Sequence, residues 1–265
     1  MDKLEQTSAE TNPDIYAKGM SHYNESHYAA TTEYDCYQYE LIDRYLEGKI
    51  LELGAWAGRI TTLAAAAHPD ATIYASEPSP NFFAQLTRRC QSRSNITLTT
   101  ETLEELCASR FESFDTVFHV HVLEHIENDQ DFVDSCLKLL RHGGQLVFEV
   151  PALNFLYAQL DRNIGHYRRY DKKMIRKLFS DRAVKFELLR YDNLIGVFAW
   201  LIFFKLLKIE YQSSNTQRSR FFFLAKVFSK YIVPLVKKLE SKWPPPLGLN
   251  LTVVVKKLSA GQNKS

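Results

Sequence analysis

The stretch ILELGAWAGRI, residues 50–60, decides the fold of this chain. An apolar segment typical of a buried strand runs into a glycine-containing turn, and a helix is predicted to begin at Arg59. Glycines let the backbone approach a ligand closely, and a helix N-terminus offers free N–H groups to polar ligand groups. Dinucleotide-binding turns have the spacing G-x-G-x-x-G, but Trp56 and Arg59 occupy the second and third glycine positions. The turn therefore favours a cofactor site of another type, although a tight turn alone is also compatible with a plain connection.

Strand and helix patterns alternate on both sides of this stretch. Helices are predicted at 33–46, 59–67, 80–93, 103–107, 129–140 and 171–179, and Gly143-Gly144 is expected to end the fifth of them. Strands are predicted at 49–53, 71–76, 95–100, 114–120, 145–150, 184–191 and 249–257. Such alternation is typical of an α/β fold in which helices cover both faces of a mostly parallel sheet.

The same pattern divides the chain into four regions. They are an N-terminal arm (1–32), an α/β core (33–192), an insertion (193–248), and the last core strand with a tail (249–265). Because a structureless loop as long as the insertion would be unusual, its two apolar, lysine-bearing stretches at 194–209 and 220–240 are predicted to be helical.

Composition limits the classes of function. Of the 265 residues, 45% are apolar and 24% charged, and the net charge of +2 is too small to indicate a nucleic-acid partner. The four cysteines form no CxxC pair and have no histidine at metal-ligand spacing, so neither a disulfide framework nor a metal site is predicted. The acidic N-terminus is unlike a signal peptide, and the apolar run at 194–204 is shorter than the roughly 20 residues of a membrane span. A cytoplasmic protein is expected.

An acidic residue follows the second predicted strand. Glu77, in the segment SEPSP, comes after Glu52 by one strand–helix–strand unit. A carboxylate at this position can accept hydrogen bonds from the two ribose hydroxyls of a nucleoside cofactor. A strand-end glutamate by itself is usually a solvated surface residue, so the prediction depends on its spacing from the glycine turn.

Two further segments complete a family resemblance. FDTVFHVHVLEHIEND (114–129) and LLRHGGQLVFEVP (139–151) follow the turn in which Glu52 precedes a G-x-W-x-G pattern. Over about residues 40–150, the chain resembles the class I methyltransferases that use S-adenosylmethionine. The resemblance implies a Rossmann-like, seven-stranded sheet with an antiparallel last strand, and S-adenosylmethionine as the cofactor.

The resemblance also implies a set of cofactor-binding residues. In family members, the acidic strand end and the glycine turn hold the methionine part of the cofactor, the next strand end holds its ribose and adenine, and the loop after the third strand and the end of the fourth strand line the pocket. The matching residues here are Glu52, Gly54, Ala55, Trp56, Gly58, Glu77, Pro78, Glu101, Thr102, Leu103 and, through its backbone, His119. Trp56 departs from the family pattern, which has a glycine there.

A narrower resemblance concerns the methyl acceptor. LDRNIGHYRRYDKKMIRKLF (160–179), YDNLIG (191–196) and the segment at 233–257 resemble a bacterial methyltransferase group associated with polysaccharide, glycolipid or secondary-metabolite gene sets. This resemblance implies an oxygen or nitrogen acceptor on a small molecule or on a glycan- or lipid-linked molecule.

The sheet edge where ligands bind in open α/β folds carries candidate catalytic residues. His121 lies near the end of the fourth strand, and His166 in GHYRRY follows the fifth; an imidazole can remove a proton near neutral pH. Arg168 and Tyr170 are predicted substrate residues. The alternative is structural: His125 shapes the loop, His166 and Tyr170 cap the next helix, and the arginines pair with Asp161 or Asp171.

The insertion is predicted to be a lid that forms one wall of the acceptor pocket, with peripheral membrane contact as a second possibility. Its aromatic residues alternate with lysines, which suits a hydrophobic acceptor or the inner membrane surface. The alternative is that these helices merely cover the edge of the sheet.

Two rival functions stay open. A non-catalytic S-adenosylmethionine-binding or scaffold protein is compatible with Trp56 in the glycine turn. A nicotinamide-dependent oxidoreductase would share the sheet and Glu77 but lacks the required glycines.

Overall fold

The computed structural model describes residues 25–206, 223 and 226–259, with side chains from residue 32 onward. The strands are β1 (Lys49–Leu53), β2 (Thr72–Ser76), β3 (Ile96–Thr99), β4 (Phe114–Val120), β5 (Leu140–Pro151), β6 (Val184–Asp192) and β7 (Asn250–Lys257). The helices are α1 (Glu25–Ile42), α2 (Arg59–Ala67), α3 (Pro80–Cys90), α4 (Leu103–Ser109), α5 (Asp129–Leu139), α6 (Gln159–Asn163), α7 (Lys172–Leu178), α8 (Leu194–Trp200) and α9 (Val233–Glu240).

The seven strands form one sheet in the order β3-β2-β1-β4-β5-β7-β6. The first five strands pair in parallel, whereas β7 runs antiparallel to both β5 and β6. This confirms the predicted Rossmann-like sheet with an antiparallel last strand.

Successive residues of a strand point to opposite faces, and β1 shows that both faces are covered. Ile50 is fully buried in an apolar cluster with Ile42 of α1 and Ala64 of α2. Leu51 is fully buried in a second cluster with Val133 of α5 and Ile175 of α7. The helices therefore lie on both sides of the sheet, as predicted.

The glycine pair Gly143-Gly144 has a different role from the predicted one. The α5 helix ends at Leu139 and β5 begins at once, before the glycines. Gly143 has a φ of +80°, and a Cβ on Gly144 would lie 2.9 Å from the carbonyl oxygen of Asp115. The register between β4 and β5 also shifts in this region. The pair therefore forms an irregularity within β5 and does not end the helix, which corrects the prediction.

The predicted N-terminal arm is partly helical. The α1 helix begins at Glu25 and ends at Ile42, so it crosses the predicted boundary between residues 32 and 33. Residues 1–24 of the arm, like residues 260–265 of the tail, lie outside the described residues.

The carboxyl ends of the parallel strands meet at one edge, called the mouth below. The register places Leu53 beside Ser76 and Val120 beside Glu149. At the same edge, Asp192, where β6 ends, lies beside Asn250, where β7 begins. Both ends of the insertion therefore start from the mouth.

One buried carboxylate joins the insertion to the rest of the molecule. Glu240, at the end of α9, accepts hydrogen bonds from the backbone N–H groups of Asn193 (3.0 Å) and Leu194 (2.9 Å). It also accepts a hydrogen bond of 2.6 Å from the hydroxyl of Tyr37 in α1. Glu240 thus holds α9 against both the start of α8 and the N-terminal helix.

In the described part of the insertion, α8 spans Leu194–Trp200 and α9 spans Val233–Glu240. Among the described residues, no helix combines the length and the apolar character that crossing a membrane requires.

The Glu240 contacts predict a large loss of stability on substitution. Glu240→Ala leaves two backbone N–H groups and one hydroxyl without their acceptor, so the free energy of unfolding should fall by about 2–4 kcal/mol. Glu40→Ala is the matched control, because Glu40 pairs with Lys237 of α9 through side chains that are 45% and 50% exposed; its effect should stay under about 1 kcal/mol. Urea unfolding of both variants measures the difference, and equal losses would contradict this role of Glu240.

Candidate active site

The turn between β1 and α2 has the backbone that its glycines allow. Gly54 has a φ of +68° and Gly58 a φ of +76°, both in the left-handed region. A Cβ on Gly54 would lie 2.7 Å from Cγ2 of Val122, which follows β4. The backbone N–H of Ala55 donates to the carbonyl of Ser76 at 2.9 Å and fastens the turn to the end of β2.

Trp56 occupies the middle of this turn with a φ of +49°, an uncommon value for a bulky side chain. Its backbone N–H donates to Oε2 of Glu77 at 2.8 Å. Its ring packs edge-on against Phe82 of α3, with ring centroids 5.4 Å apart. The indole is therefore accommodated by α3, and the turn keeps its bond to the second strand.

Glu77 is the link between the turn and α3. Its Oε1 accepts the backbone N–H of Ser79 at 2.9 Å, while Oε2 accepts that of Trp56. The residue is 7% exposed. A carboxylate oxygen can accept two hydrogen bonds, so each oxygen keeps capacity for a ligand hydroxyl.

A second buried carboxylate lies next to it. Glu52, near the end of β1, accepts a 2.5 Å hydrogen bond from the hydroxyl of Thr61. Burial raises the pKa of Glu52 to about 8, and burial also raises the pKa of Glu77. Within the described part of the chain, neither carboxylate is paired with a basic side chain. Two buried acids without a counter-charge suit a ligand that brings hydroxyl groups and a positive charge.

The predicted adenine contacts are only partly available. Pro78 and Thr102 line one surface cleft, whose other residues are Pro80, Phe83, Ala84, Thr100 and Glu105. Thr102 also caps α4 by accepting the N–H of Glu105, and the side chain of Leu103 packs against the main apolar cluster. The carboxylate of Glu101 is held by Arg110 at 3.1 Å. The side chains of Glu101 and Leu103 are thus engaged within the protein.

The side chain of His119 belongs to the core. The residue is fully buried, its ring stacks on Phe148 with centroids 5.0 Å apart, and it meets the edge of Phe132. Burial lowers the pKa of His119 to about 3, so the ring is neutral. The ring is therefore engaged in the core, and a contact of the cofactor with the backbone of His119 stays a prediction.

His121 stands at the mouth between two carboxylates. Its Nδ1 lies 3.0 Å from Oε1 of Glu124, and its Nε2 lies 3.3 Å from Oε1 of Glu149. Both glutamates are fully buried, whereas the histidine side chain is 33% exposed. Although burial opposes the charge, these two carboxylates raise the pKa of His121 to about 10. His121 is therefore an imidazolium at neutral pH and cannot serve as a proton acceptor in this state.

His166 lies near the same glutamate. Its Nδ1 is 3.0 Å from Oδ1 of Asp161, and its Nε2 is 3.8 Å from Oε1 of Glu124, beyond hydrogen-bonding distance. His125 meets the His166 ring edge-on, with centroids 4.6 Å apart. Glu124 is thus surrounded by three histidines, and the two predicted catalytic histidines are brought together around it.

The basic part of GHYRRY is held mainly by acidic partners. Arg169 is 2% exposed and pairs with Asp161 at 2.9 Å, which agrees with the structural alternative. Arg168 pairs with Asp129 at 2.7 Å and donates to the carbonyl of Glu127. Tyr170 is 1% exposed and donates to Asp129 at 3.1 Å. The hydroxyl of Tyr170 is thus used inside the protein in this structure, and its contact with the substrate stays a prediction.

Sequence reasoning missed several residues of this cluster. Glu149 could have been found from the sequence, because its charged side chain interrupts the otherwise apolar strand segment LVFEV. Gln38 of α1 donates to Glu149, and Asp161 holds both His166 and Arg169. Gln38 could not be found by spacing, because α1 reaches the mouth only through tertiary packing. Asp161 was predicted only as a partner of the arginines, and its contact with His166 was missed.

The buried state of Glu52 predicts a dependence of stability on pH. A glutamate in the unfolded chain has a pKa of about 4.3, so the folded state binds this proton more tightly. Stability should therefore fall as the pH rises from about 4.3 to about 8. Glu52→Gln cannot ionise, and its amide oxygen still accepts from Thr61. Without added cofactor, its loss of unfolding free energy between pH 5 and pH 8 should be smaller than that of the wild type by at least about 1 kcal/mol.

Urea unfolding at both pH values measures this difference. Glu104→Gln, at an exposed position of α4, is the control and should behave like the wild type. If Glu52→Gln also keeps the wild-type dependence on pH, Glu52 does not hold its proton in the folded state.

Comparison with known proteins identifies the central segment. Residues 51–148 match the family described as "Methyltransferase domain". The chain is 32% identical over 103 residues to the ubiquinone biosynthesis O-methyltransferase of Agrobacterium fabrum (strain C58 / ATCC 33970), a match that covers 38% of this chain and 40% of that protein. The chain thus spans about two fifths of the length of the curated relatives that it matches.

Solved structures extend the likeness to more than four fifths of the chain. YcgJ of Bacillus subtilis aligns with a TM-score of 0.56 at 13% identity, over 85% of this chain and all (100%) of that one. Phosphoethanolamine N-methyltransferase 2 of Haemonchus contortus, solved with S-adenosyl-L-methionine, aligns with a TM-score of 0.53 at 16% identity, over 84% of this chain and 52% of that one. Residues 51–148 therefore match the methyltransferase domain family, and the sheet around them has the class I, Rossmann-like fold of methyltransferases.

Proposed function

We propose that this chain is an S-adenosylmethionine-dependent methyltransferase that acts on an oxygen or nitrogen of a small-molecule or glycan- or lipid-linked acceptor. The observation that carries the proposal is the bond between the glycine turn and Glu77, beside a second buried acid without a basic partner, Glu52. The family match of residues 51–148 supports the reaction type. The resemblance of GHYRRY to a bacterial group with glycan- and lipid-related gene sets supports the acceptor class.

The residues present fit the cofactor. Glu77 would hold the ribose hydroxyls, and Glu52 with Gly54, Ala55, Trp56 and Gly58 would surround the charged methionine end. The cleft beside Pro78 and Thr102, with the backbone of Glu101, Leu103 and His119, would complete the pocket. When bound, S-adenosylmethionine supplies a methyl group already activated by the sulfonium charge.

The main contribution of the protein to the reaction would be to align the acceptor with the methyl group of the cofactor. Holding a nucleophile in line with a reactive carbon can supply about 7–11 kcal/mol of the barrier. His121, as a cation, would attract an acceptor that carries a negative charge. Because Nδ1 of His166 is hydrogen-bonded to Asp161, Nε2 is the atom that would accept the acceptor's proton or contact its nucleophile. Arg168, paired with Asp129 at the rim, would contact an anionic part of the acceptor only after exchanging that partner.

The contacts of the insertion support its proposed role as a lid, whose inner and outer faces differ. On the inner side, Trp200 of α8 donates from Nε1 to the carbonyl of Leu156 at 2.9 Å, and its ring lies 4.1 Å from the guanidinium carbon of Arg169. The α8 helix is thereby packed on the segment that follows β5 at the mouth. We propose that it forms one wall of the acceptor pocket.

On the outer side, the insertion exposes apolar residues at helical spacing. The α8 helix continues into a π-helical turn at Leu201–Leu206, and this segment exposes Phe198, Ile202 and Leu206. A π-helical turn at Phe228–Ile232 leads into α9, and that segment exposes Tyr231, Leu235 and Leu239. Each set recurs every four residues and so forms one stripe. The exposed lysines beside them are Lys205, Lys230, Lys237 and Lys238. Apolar stripes bordered by lysines suit an anionic lipid surface, and we propose peripheral contact with the inner face of the membrane. The stretch 207–222, with further aromatic residues and Lys208, lies outside the described residues.

Ligand binding tests the cofactor assignment. S-adenosylhomocysteine should bind in the micromolar range, and NAD should not bind. Glu77→Ala should weaken S-adenosylhomocysteine binding at least about tenfold, because it removes a buried acceptor that costs about 1.5–3 kcal/mol to lose. Calorimetry measures both, with Glu104→Ala as the control at an exposed position. Binding of NAD, or unchanged affinity in folded Glu77→Ala, would contradict the assignment. Binding without methyl transfer to any acceptor would favour the non-catalytic alternative.

Vesicle co-sedimentation tests the outer surface. The wild type should sediment with anionic phosphatidylglycerol vesicles, and salt should weaken this binding. The double variant Leu235→Ser/Leu239→Ser should lose most of it. Phe111→Ser is the control, because Phe111 is 62% exposed and lies outside the insertion. Binding that is absent in the wild type, or lowered equally by Phe111→Ser, would refute the membrane contact.

A further inference from the structure

Glu124, His125 and His166 form a cluster that the predictions did not contain. One ligand-type atom from each residue lies within 4.8 Å of the corresponding atoms of the other two. Glu124 and His125 follow β4, whereas His166 comes from GHYRRY after β5. From this geometry we infer that the cluster binds one divalent transition-metal cation, with Zn²⁺ as the representative ion.

One carboxylate oxygen of Glu124 is available as a metal ligand. Oε1 faces His121 at 3.0 Å, but Oε2 is buried without a hydrogen-bond partner among the described residues. An unpartnered buried carboxylate oxygen is costly unless something binds it. Glu124 is fully buried, and the side chain of His166 is 9% exposed.

His166 has the arrangement of a metal-binding histidine. Its Nδ1 is hydrogen-bonded to Asp161, which itself pairs with Arg169. This bond fixes the ring and directs the remaining nitrogen, Nε2, toward Glu124. Histidine ligands of metals usually have this carboxylate contact on their other nitrogen.

The donor set indicates the class of cation. Two imidazoles and one carboxylate suit Zn²⁺, Fe²⁺ or Co²⁺ better than Mg²⁺, which prefers oxygen ligands alone. Ligands of one such ion lie about 3–3.5 Å apart, so small side-chain rotations would close the cluster. Three protein ligands leave a further coordination position. At the mouth, an acceptor oxygen could occupy it; this last step rests on the proposed methyl transfer, whereas binding of the cation does not. A His166 nitrogen that binds the cation is no longer available as a base.

Metal titration of the full chain tests the site. After chelator treatment and dialysis, the wild type should bind one Zn²⁺ per chain with a Kd in the micromolar range or tighter. His125→Asn and His166→Asn should each weaken this binding at least tenfold. His142→Asn is the control, because His142 is 51% exposed and lies near Glu112, away from the cluster. Mg²⁺ should not compete with Zn²⁺.

A second measurement does not depend on the variants folding. Co²⁺ added to the wild type should produce the visible absorption bands of an ion held by imidazole and carboxylate, and Zn²⁺ should remove them. Absence of stoichiometric binding, or equal binding by wild type and both cluster variants, would overturn the metal site. S-adenosylhomocysteine binding is measured separately on the same samples, so its loss alone would count against the methyltransferase proposal only.

Discussion

The parallel pairing of β1 with β2 and β4 is the constraint on which the arrangement of the site depends. Because these strands run the same way, Leu53, Ser76 and Val120 reach the same edge of the sheet. The glycine turn after β1 can then bond to β2 through Ala55 and to Glu77 through Trp56. Val122, directly after β4, leaves no space for a side chain on Gly54. A change in strand register would separate all of these groups at once.

The mouth divides into two halves with different electrostatics. On the β1–β2 side, Glu52 and Glu77 are buried without basic partners in the described chain, and burial raises their pKa values. On the β4–β5 side, carboxylates and bases alternate: Glu149, His121, Glu124, then His166 and Asp161. The first half suits a cationic ligand with hydroxyl groups. The second half is already compensated and suits the acceptor, with or without a metal ion.

The sequence was sufficient for the fold but not for the second half of the site. Apolar runs bounded by turn residues located all seven strands. The spacing of Glu52, Gly54, Gly58 and Glu77 predicted a first half of the site whose residues the structure brings together, because they lie in one continuous strand–turn–helix–strand unit. The role predicted for Gly143-Gly144 was wrong, and the burial of Tyr170 was not foreseen, for a common reason. A tyrosine beside arginines, or a glycine pair after a helix, has several structural uses, and only tertiary packing selects among them. The cluster around Glu124 combines residues from separate loops, and no local spacing encodes it.

The central claim is that the glycine turn and Glu77 hold S-adenosylmethionine. A crystal structure of the chain with S-adenosylhomocysteine tests it most directly. We expect the nucleoside to lie against the turn at residues 54–58, with the ribose hydroxyls within hydrogen-bonding distance of the Glu77 carboxylate and the homocysteine end beside Glu52. A ligand bound elsewhere on the chain, with Glu77 still bonded only to Trp56 and Ser79, would contradict it.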